Sequence, residues 1–400
     1  MKISLIQPGR NNLKYLKWAY AAIRKNQGNH EVEICVADDA STDGTWKWCQ
    51  EMMAKDDNFK AILNDTGKRL GHTILYDRLV NEVATNDVAM IYHADMYLMP
   101  GALDAIEREI EEKTIVSLTR IEPPLHPDGP EKVLLNCGVE PEEFKEQVVL
   151  DWYEKNKDAS KITPGIFAPW AFYRKDFQEI GGHDPLYAPQ SKEDSDIFNR
   201  FVLAGYKLVQ TREGCVYHMT CRGSRFADGA KRNPDGEVFM KNRETDEWLA
   251  QNIRSTRNFI RKWGTMVEHD EYLKPIITPK YDIGFHLTER CSSNLIGDLE
   301  PYCSNLYVDD DMTIKQYIEQ EQSQTDFNLS ERVSINELKN DVIVKFDPLL
   351  VNQQNFSILA NLPKIIQDSG EVGEFELDIF NVKINKIKTY ERDLINCNTN

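Results

Sequence analysis

In a chain of 400 residues, the side chains best placed to do chemistry are acids and histidines that close apolar runs. The stretch AMIYHADMYLMP, residues 89–100, reads as a buried strand ending in His93, Ala94 and Asp95. A carboxylate there is costly unless it is paired, hydrogen-bonded or bound to a cation. One alternative for Asp95 is a bond to backbone N–H groups of the next turn, but MYLMP offers few polar side chains. A hard cation such as Mg2+ or Mn2+ would satisfy it. His93 fits three readings: a ligand, which suits Mn2+ better than Mg2+, a donor to phosphate, or a packed histidine. His218, closing CVYH, is either a further ligand or a satisfied core imidazole.

Carboxylates recur at two more such places. Asp38 and Asp39 close EVEICVADD and precede STDGT. They either cap a helix through an Asx-turn or accept hydrogen bonds from a ligand, and Asp43 has the spacing of a cap. Glu193, Asp194 and Asp196 open the helical stretch EDSDIFNRFVL, where the helix macrodipole alone favours acids. A carboxylate so placed can also take a proton from a hydroxyl. Arg222, Arg225, Lys231 and Arg232 form a basic loop directly after His218, either solvated or folded over an anionic group.

Positioning these groups requires regular elements, and the pattern supplies them. KISLIQ (2–7) is a short apolar run, and Leu13, Leu16, Tyr20 and Ile23 follow at helical spacing. Strand and helix then alternate through EVEICVAD, STDGTWKWCQEMM, FKAILN, a helix over about 74–85, DVAMIYH, a helix over about 101–112 and TIVSLTR. Such alternation predicts an α/β fold with a mixed, mostly parallel sheet flanked by helices, and ligands bind such sheets beyond the carboxyl ends of the strands. Residues 121–165, rich in Pro, Glu and Asp, read as an excursion before IFAPWAFYR resumes a strand. GYKLVQ and CVYHM read as two further strands, and the helix through DEWLAQNIRSTRNFIRKWG closes a first domain at about residue 275. From 276 to 400 the alternation restarts, which predicts a smaller α/β accessory domain without a catalytic constellation, ending in the frayed LINCNTN.

Composition narrows the function. The net charge of −17 argues against nucleic acid or an anionic membrane as main partner, while 41% hydrophobic and 28% charged residues describe a globular protein. Eight cysteines are scattered with no CxxC pair, as expected for reduced thiols. No stretch of about 18 apolar residues occurs, so no transmembrane segment and a cytoplasmic location are expected.

Four segments, VADDASTDGT, HADMYLMP, GGHDPLYAPQSKEDSD and VYHM, together resemble the inverting family 2 glycosyltransferases of GT-A fold over roughly residues 1–265. The resemblance implies a nucleotide-diphospho-sugar donor, a divalent cation (Mn2+ or Mg2+) and transfer to a hydroxyl on a glycan or glycoconjugate. The enzyme type would be a hexosyltransferase of polysaccharide biosynthesis. It further implies that Pro8, Asp38, Asp39 and Asp95 bind the nucleotide, with Asp39 contacting the base. Asp95, His218 and His93 would hold the metal, Asp194 act as general base, Arg222 and Arg225 cover the diphosphate, and Glu193 meet the acceptor; Trp170, by its residue type alone, is either a buried aromatic, the favoured reading, or a stacking surface for the acceptor sugar. The chain departs from the family where His93, or Ala94 in another register, replaces the first Asp of the metal-binding turn. A sugar-phosphate nucleotidylyltransferase is the alternative enzyme, although QPGRNNLKYL is a poor version of its phosphate loop. A non-catalytic carbohydrate- or nucleotide-binding protein of the same fold is the third reading.

Overall fold

A computed structural model of the chain describes residues 1–220 and 246–396, in two compact units. The basic-loop residues Arg222, Arg225, Lys231 and Arg232 lie outside the described residues, as do Cys397–Asn400.

The first unit comprises the described residues of Met1–Ala250, with His269–Pro275 and Asn396. Its ten strands are β1 (Lys2–Gly9), β2 (Glu31–Asp38), β3 (Phe59–Leu63), β4 (Val88–Ile91), β5 (Met96–Leu98), β6 (Thr114–Glu122), β7 (Lys132–Leu134), β8 (Ile162–Thr163), β9 (Trp170–Tyr173) and β10 (Lys207–His218). They form one sheet in the order β3-β2-β1-β4-β9-β6-β10-β5, with β7 beside β6 and β8 beside β10. The first four run parallel, β9 runs antiparallel between β4 and β6, and β5 runs antiparallel to β10. This is the mixed α/β sheet expected from the sequence. β6, TIVSLTRIE, is buried along its whole length, its polar residues included. The helix Leu13–Asn26 buries Tyr15, Leu16, Ala19, Ala22 and Ile23.

Some boundaries differ from the sequence reading. The helix expected over 74–85 is a helix at His72–Arg78 continued by a π-helical turn at Leu79–Val83, and the next helix spans Ala102–Glu109. The two strands expected at GYKLVQ and CVYHM are one strand, β10, with a register shift between Thr211 and Cys215. Both halves stay paired with β6, so the polar Arg212–Gly214 insertion bulges without ending the strand.

The second unit holds Gln251–Glu268 and Ile276–Ile395. Six strands, β11 (Ile283–Leu287), β12 (Asn305–Tyr307), β13 (Val333–Ser334), β14 (Val342–Phe346), β15 (Gly373–Leu377) and β16 (Phe380–Ile384), form a sheet in the order β13-β12-β11-β14-β16-β15. A boundary at 275 therefore misplaces most of the helix Asp246–Trp263, which packs with the later chain. Its fully buried Arg261 donates to Glu300 (2.9 Å) and Glu321 (2.6 Å), and Arg257 donates to Glu321 (2.8 Å) and the Gly297 carbonyl (2.6 Å). Helical periodicity located this element correctly, but periodicity carries no information about which core receives it. Among the described residues no helix is long and apolar enough to cross a membrane, and the six cysteines are free thiols.

Candidate active site

In the first unit, the ends of β1, β6 and β10, the turn after β4 and the start of the helix Glu193–Leu203 enclose a cavity of about 460 Å3. Asp95 is 1% exposed at its wall. His218 Nε2 lies 3.4 Å from Asp95 Oδ1, and His218 Nδ1 lies 2.7 Å from Glu122 Oε1. The His93 ring sits 5.5 Å from that of His218, and one donor atom from each of His93, Asp95 and His218 falls within 4.8 Å of the others. Two imidazoles and a carboxylate so grouped fit one divalent cation, and this donor set suits Mn2+ better than Mg2+.

The electrostatics agree with that use. Burial, then the neighbouring His218, lower the His93 pKa to about 4, so its ring is neutral and able to donate a lone pair at neutral pH. Burial works against the charged form of His218, but Asp95 and Glu122 outweigh it and raise the pKa. Glu122 is also opposed by burial, yet His218, Arg120 and Lys132 lower its pKa to about 2. A carboxylate on the far nitrogen of a ligating histidine fixes its tautomer and orientation.

Glu122 belongs to a buried ionic cluster along the same wall. Arg120 Nε lies 3.1 Å from Glu122 and its Nη2 3.0 Å from Glu131, which Lys132 approaches at 3.2 Å. The Arg120 guanidinium also covers the Phe167 ring at 4.0 Å. None of these residues was singled out from the sequence. The signal was present, since Arg120 and Glu122 are charges at the carboxyl end of a buried strand, as Asp95 nearly is.

Asp194 faces this cavity from the second position of its helix. The preceding Ser191 and Lys192 have φ of 81° and 73°, left-handed values that bring the chain sharply into the helix. Burial raises the Asp194 pKa, while His183 and Arg120 oppose the rise. Burial and then the adjacent Asp194 push Glu193 up to about 8. Glu193 is 8% exposed, and its Oε2 has no hydrogen-bond partner among the described residues. Asp196 is different: it is fully buried against Arg200 (2.8 Å) and Tyr187 (3.3 Å), a structural ion pair.

Pro8 lines the cavity, and Asp38 lies at the end of β2 next to Gly9. Asp38 Oδ1 accepts from the Ser41 N–H at 3.0 Å, while its Oδ2 is buried without a partner. Both polar atoms of the Gln7 amide are likewise buried and unpartnered. Asp39 has another task than the expected contact with a base. Its carboxylate accepts from Asn64 Nδ2 (2.6 Å) and the N–H groups of Leu70 and Gly71 (both 2.9 Å), anchoring the 64–71 loop. The loop needs that anchor because Gly71, at φ +81°, packs so closely that a Cβ would fall 2.1 Å from the Pro189 carbonyl. Asp39→Ala should therefore cost about 1–3 kcal/mol per buried donor left unsatisfied, read as a lowered denaturation midpoint. Asp43 is a cap, accepting from Thr45 at one helix start and from the Leu13 N–H (2.9 Å) at another.

Trp170 does not meet an acceptor. It is 0% exposed on β9, with ring centroids of Phe172, Phe198 and Phe201 at 4.7, 5.5 and 5.9 Å. A position on an interior strand of the sheet leaves its indole no route to the cavity rim.

The first unit is thus a mixed α/β sheet with an acid-and-histidine cavity at its strand ends. Residues 4–181 match the model of glycosyl transferase family 2. The match covers β1 to the helix Arg174–Glu179 and includes Asp38, Asp39, His93 and Asp95 but neither Asp194 nor His218. No curated protein matches the chain. Among solved structures, it is similar to a mannosyltransferase, PcManGT from Pyrobaculum calidifontis, in complex with GDP-Man and Mn2+, at 18% identity and a TM-score of 0.39 over 54% of this chain and 56% of that one. It is also similar to GalNAc-T7 with UDP, GalNAc and Mn2+, at 14% identity and a TM-score of 0.44 over 68% of this chain and 49% of that one. The chain thus spans about half the length of each.

Proposed function

We propose that the first unit transfers a sugar, with inversion, from a nucleotide-diphospho-sugar to a hydroxyl of a glycan or other acceptor, and that transfer depends on a divalent cation. The observation that carries this reading is that one cavity holds the triad of His93, Asp95 and His218 together with Asp194. Asp95, His93 and His218 would hold the cation, with Glu122 orienting His218. When bound, the cation supplies charge neutralisation for the departing diphosphate. Pro8, which lines the cavity, and Asp38, whose Oδ2 is unpartnered, would meet the nucleoside at the ends of β1 and β2.

Asp194 takes the proton from the acceptor hydroxyl, whose oxygen attacks the anomeric carbon as the carbon–oxygen bond to the diphosphate breaks. The bond electrons leave with the diphosphate, and the anomeric configuration inverts in this single displacement. Burial raises the Asp194 pKa, and His183 and Arg120 limit that rise in favour of the ionised form, which can accept a proton.

Donor-hydrolysis and transfer assays over UDP-, GDP-, CMP- and dTDP-sugars test the reading. Activity is expected with Mn2+ for at least one donor and is expected to vanish in EDTA; full transfer in EDTA would remove the metal from the reaction. Glu122→Gln should weaken Mn2+ binding about 10–100-fold, measured by titration. Because the raised pKa of His218 lets a proton compete for the same nitrogen, Mn2+ affinity should fall as pH falls.

A further inference from the structure

Two polar atoms on the cavity wall remain without a task in that scheme. His72, the first residue of the helix His72–Arg78, lines the cavity, and its Nε2 is buried with no hydrogen-bond partner among the described residues. Glu193 Oε2 is the other such atom, on a side chain more than nine-tenths buried. Neither atom is spent on the fold. The His72 ring leans on Tyr76, with centroids 5.6 Å apart, and Tyr76 lines the same cavity. Burial, then His93, lower the His72 pKa to about 3, so the imidazole is neutral, with one nitrogen to donate and one to accept.

In a single displacement the base and the leaving group stand on opposite sides of the anomeric carbon. The glycosyl ring must then occupy the space between the His93, Asp95 and His218 triad and Asp194. His72 and Glu193 line the same cavity as the triad and Asp194, and Glu193 is adjacent in sequence to the base. Unpartnered buried atoms on the wall of that space are met by a ligand bearing hydroxyls, because leaving them dry and unpaired is costly.

We propose that His72 and Glu193 recognise ring hydroxyls of the sugar being transferred and so set donor-sugar specificity, with Glu193 serving the donor sugar and not the acceptor. This rests on the glycosyltransferase reading above. A site built to bond a hydroxyl discriminates strongly against a sugar that lacks or misplaces it, since the protein group is then left unpaired.

The test is calorimetric titration, with Mn2+ present, of nucleoside diphosphates (UDP, GDP) and of their sugar derivatives (UDP-glucose, UDP-galactose, UDP-N-acetylglucosamine, GDP-mannose) into wild type, His72→Gln and Glu193→Gln. The quantity read is the ratio of affinities between a nucleotide-sugar and the bare diphosphate. For the best donor this ratio should drop about tenfold in each variant, and preference between epimeric sugars should narrow, while affinity for the bare diphosphate and the melting temperature stay unchanged. An unchanged ratio in both variants, with diphosphate binding intact, overturns this inference and leaves the glycosyltransferase reading standing. Equal loss of diphosphate affinity overturns it as well, because the residues would then serve the nucleotide or the fold. If wild type binds none of these probes, both readings fall together.

Discussion

Asp194→Asn is expected to fold, bind Mn2+ and bind nucleotide as the wild type does, and to transfer sugar about 10²–10⁴ times more slowly, a barrier increase of roughly 3–5 kcal/mol. Asparagine keeps the side-chain shape and its value in the first turn of a helix, so the change removes a proton acceptor and little else. A purely structural role would show the opposite pattern, a lowered melting temperature of about 1 kcal/mol equivalent with transfer within a few-fold of normal. Transfer rate and melting temperature measured on the same preparation separate the two. The neighbours make the result informative. Asp196 is committed to Arg200 and Tyr187, so it has no capacity to replace the base. Glu193, pushed up to about 8 by burial and by Asp194, is largely protonated at neutral pH. It therefore does not replace the base, and Asp194→Asn should leave no second carboxylate to accept the acceptor proton.

Which parts of this site were legible in the sequence follows from the physics of each residue. Asp95, His218 and Asp194 end or begin regular elements, where a polar group breaks an apolar pattern and attracts notice. Asp39 breaks the same pattern, but its partners Asn64, Leu70 and Gly71 are 25 to 32 residues away, and two of them act through backbone N–H groups. No side-chain spacing encodes such a contact. Trp170 shows the converse difficulty, because an aromatic residue after IFAP has the same sequence appearance at a cavity rim as inside a sheet. The insertion of β9 antiparallel between β4 and β6 decides the matter, and that pairing is non-local. His72 opens a helix, where a histidine carries no distinctive pattern, and it becomes informative only once its unpartnered nitrogen is seen in a cavity.

The second unit should be sensitive to acid through one carboxylate. Glu300 is fully buried and accepts from Arg261 (2.9 Å), Tyr317 (2.8 Å) and Arg332. Burial alone would raise its pKa, but Arg332 and Arg261 lower it from 4.5 to about 2. A carboxyl whose pKa is depressed by folding stabilises the fold fully above its unfolded value, and that contribution is lost as pH falls from about 4.5 through about 2. The depression corresponds to roughly 3 kcal/mol. Glu300→Gln should remove it at every pH and leave half-buried Arg332 without its carboxylate while Arg261 keeps Glu321, for a total destabilisation of about 3–5 kcal/mol. The expected measurement is a pair of unfolding curves at pH 7 and pH 3. Wild type should lose stability between them, whereas the variant should start low and show a flatter dependence, since the titrating group is gone. The helix that carries Arg261 should lose protection from hydrogen exchange with the second unit and not with the first. Loss with the first unit instead would mean that Gln251–Glu268 belongs energetically with the earlier chain, despite the Arg261–Glu300 pair.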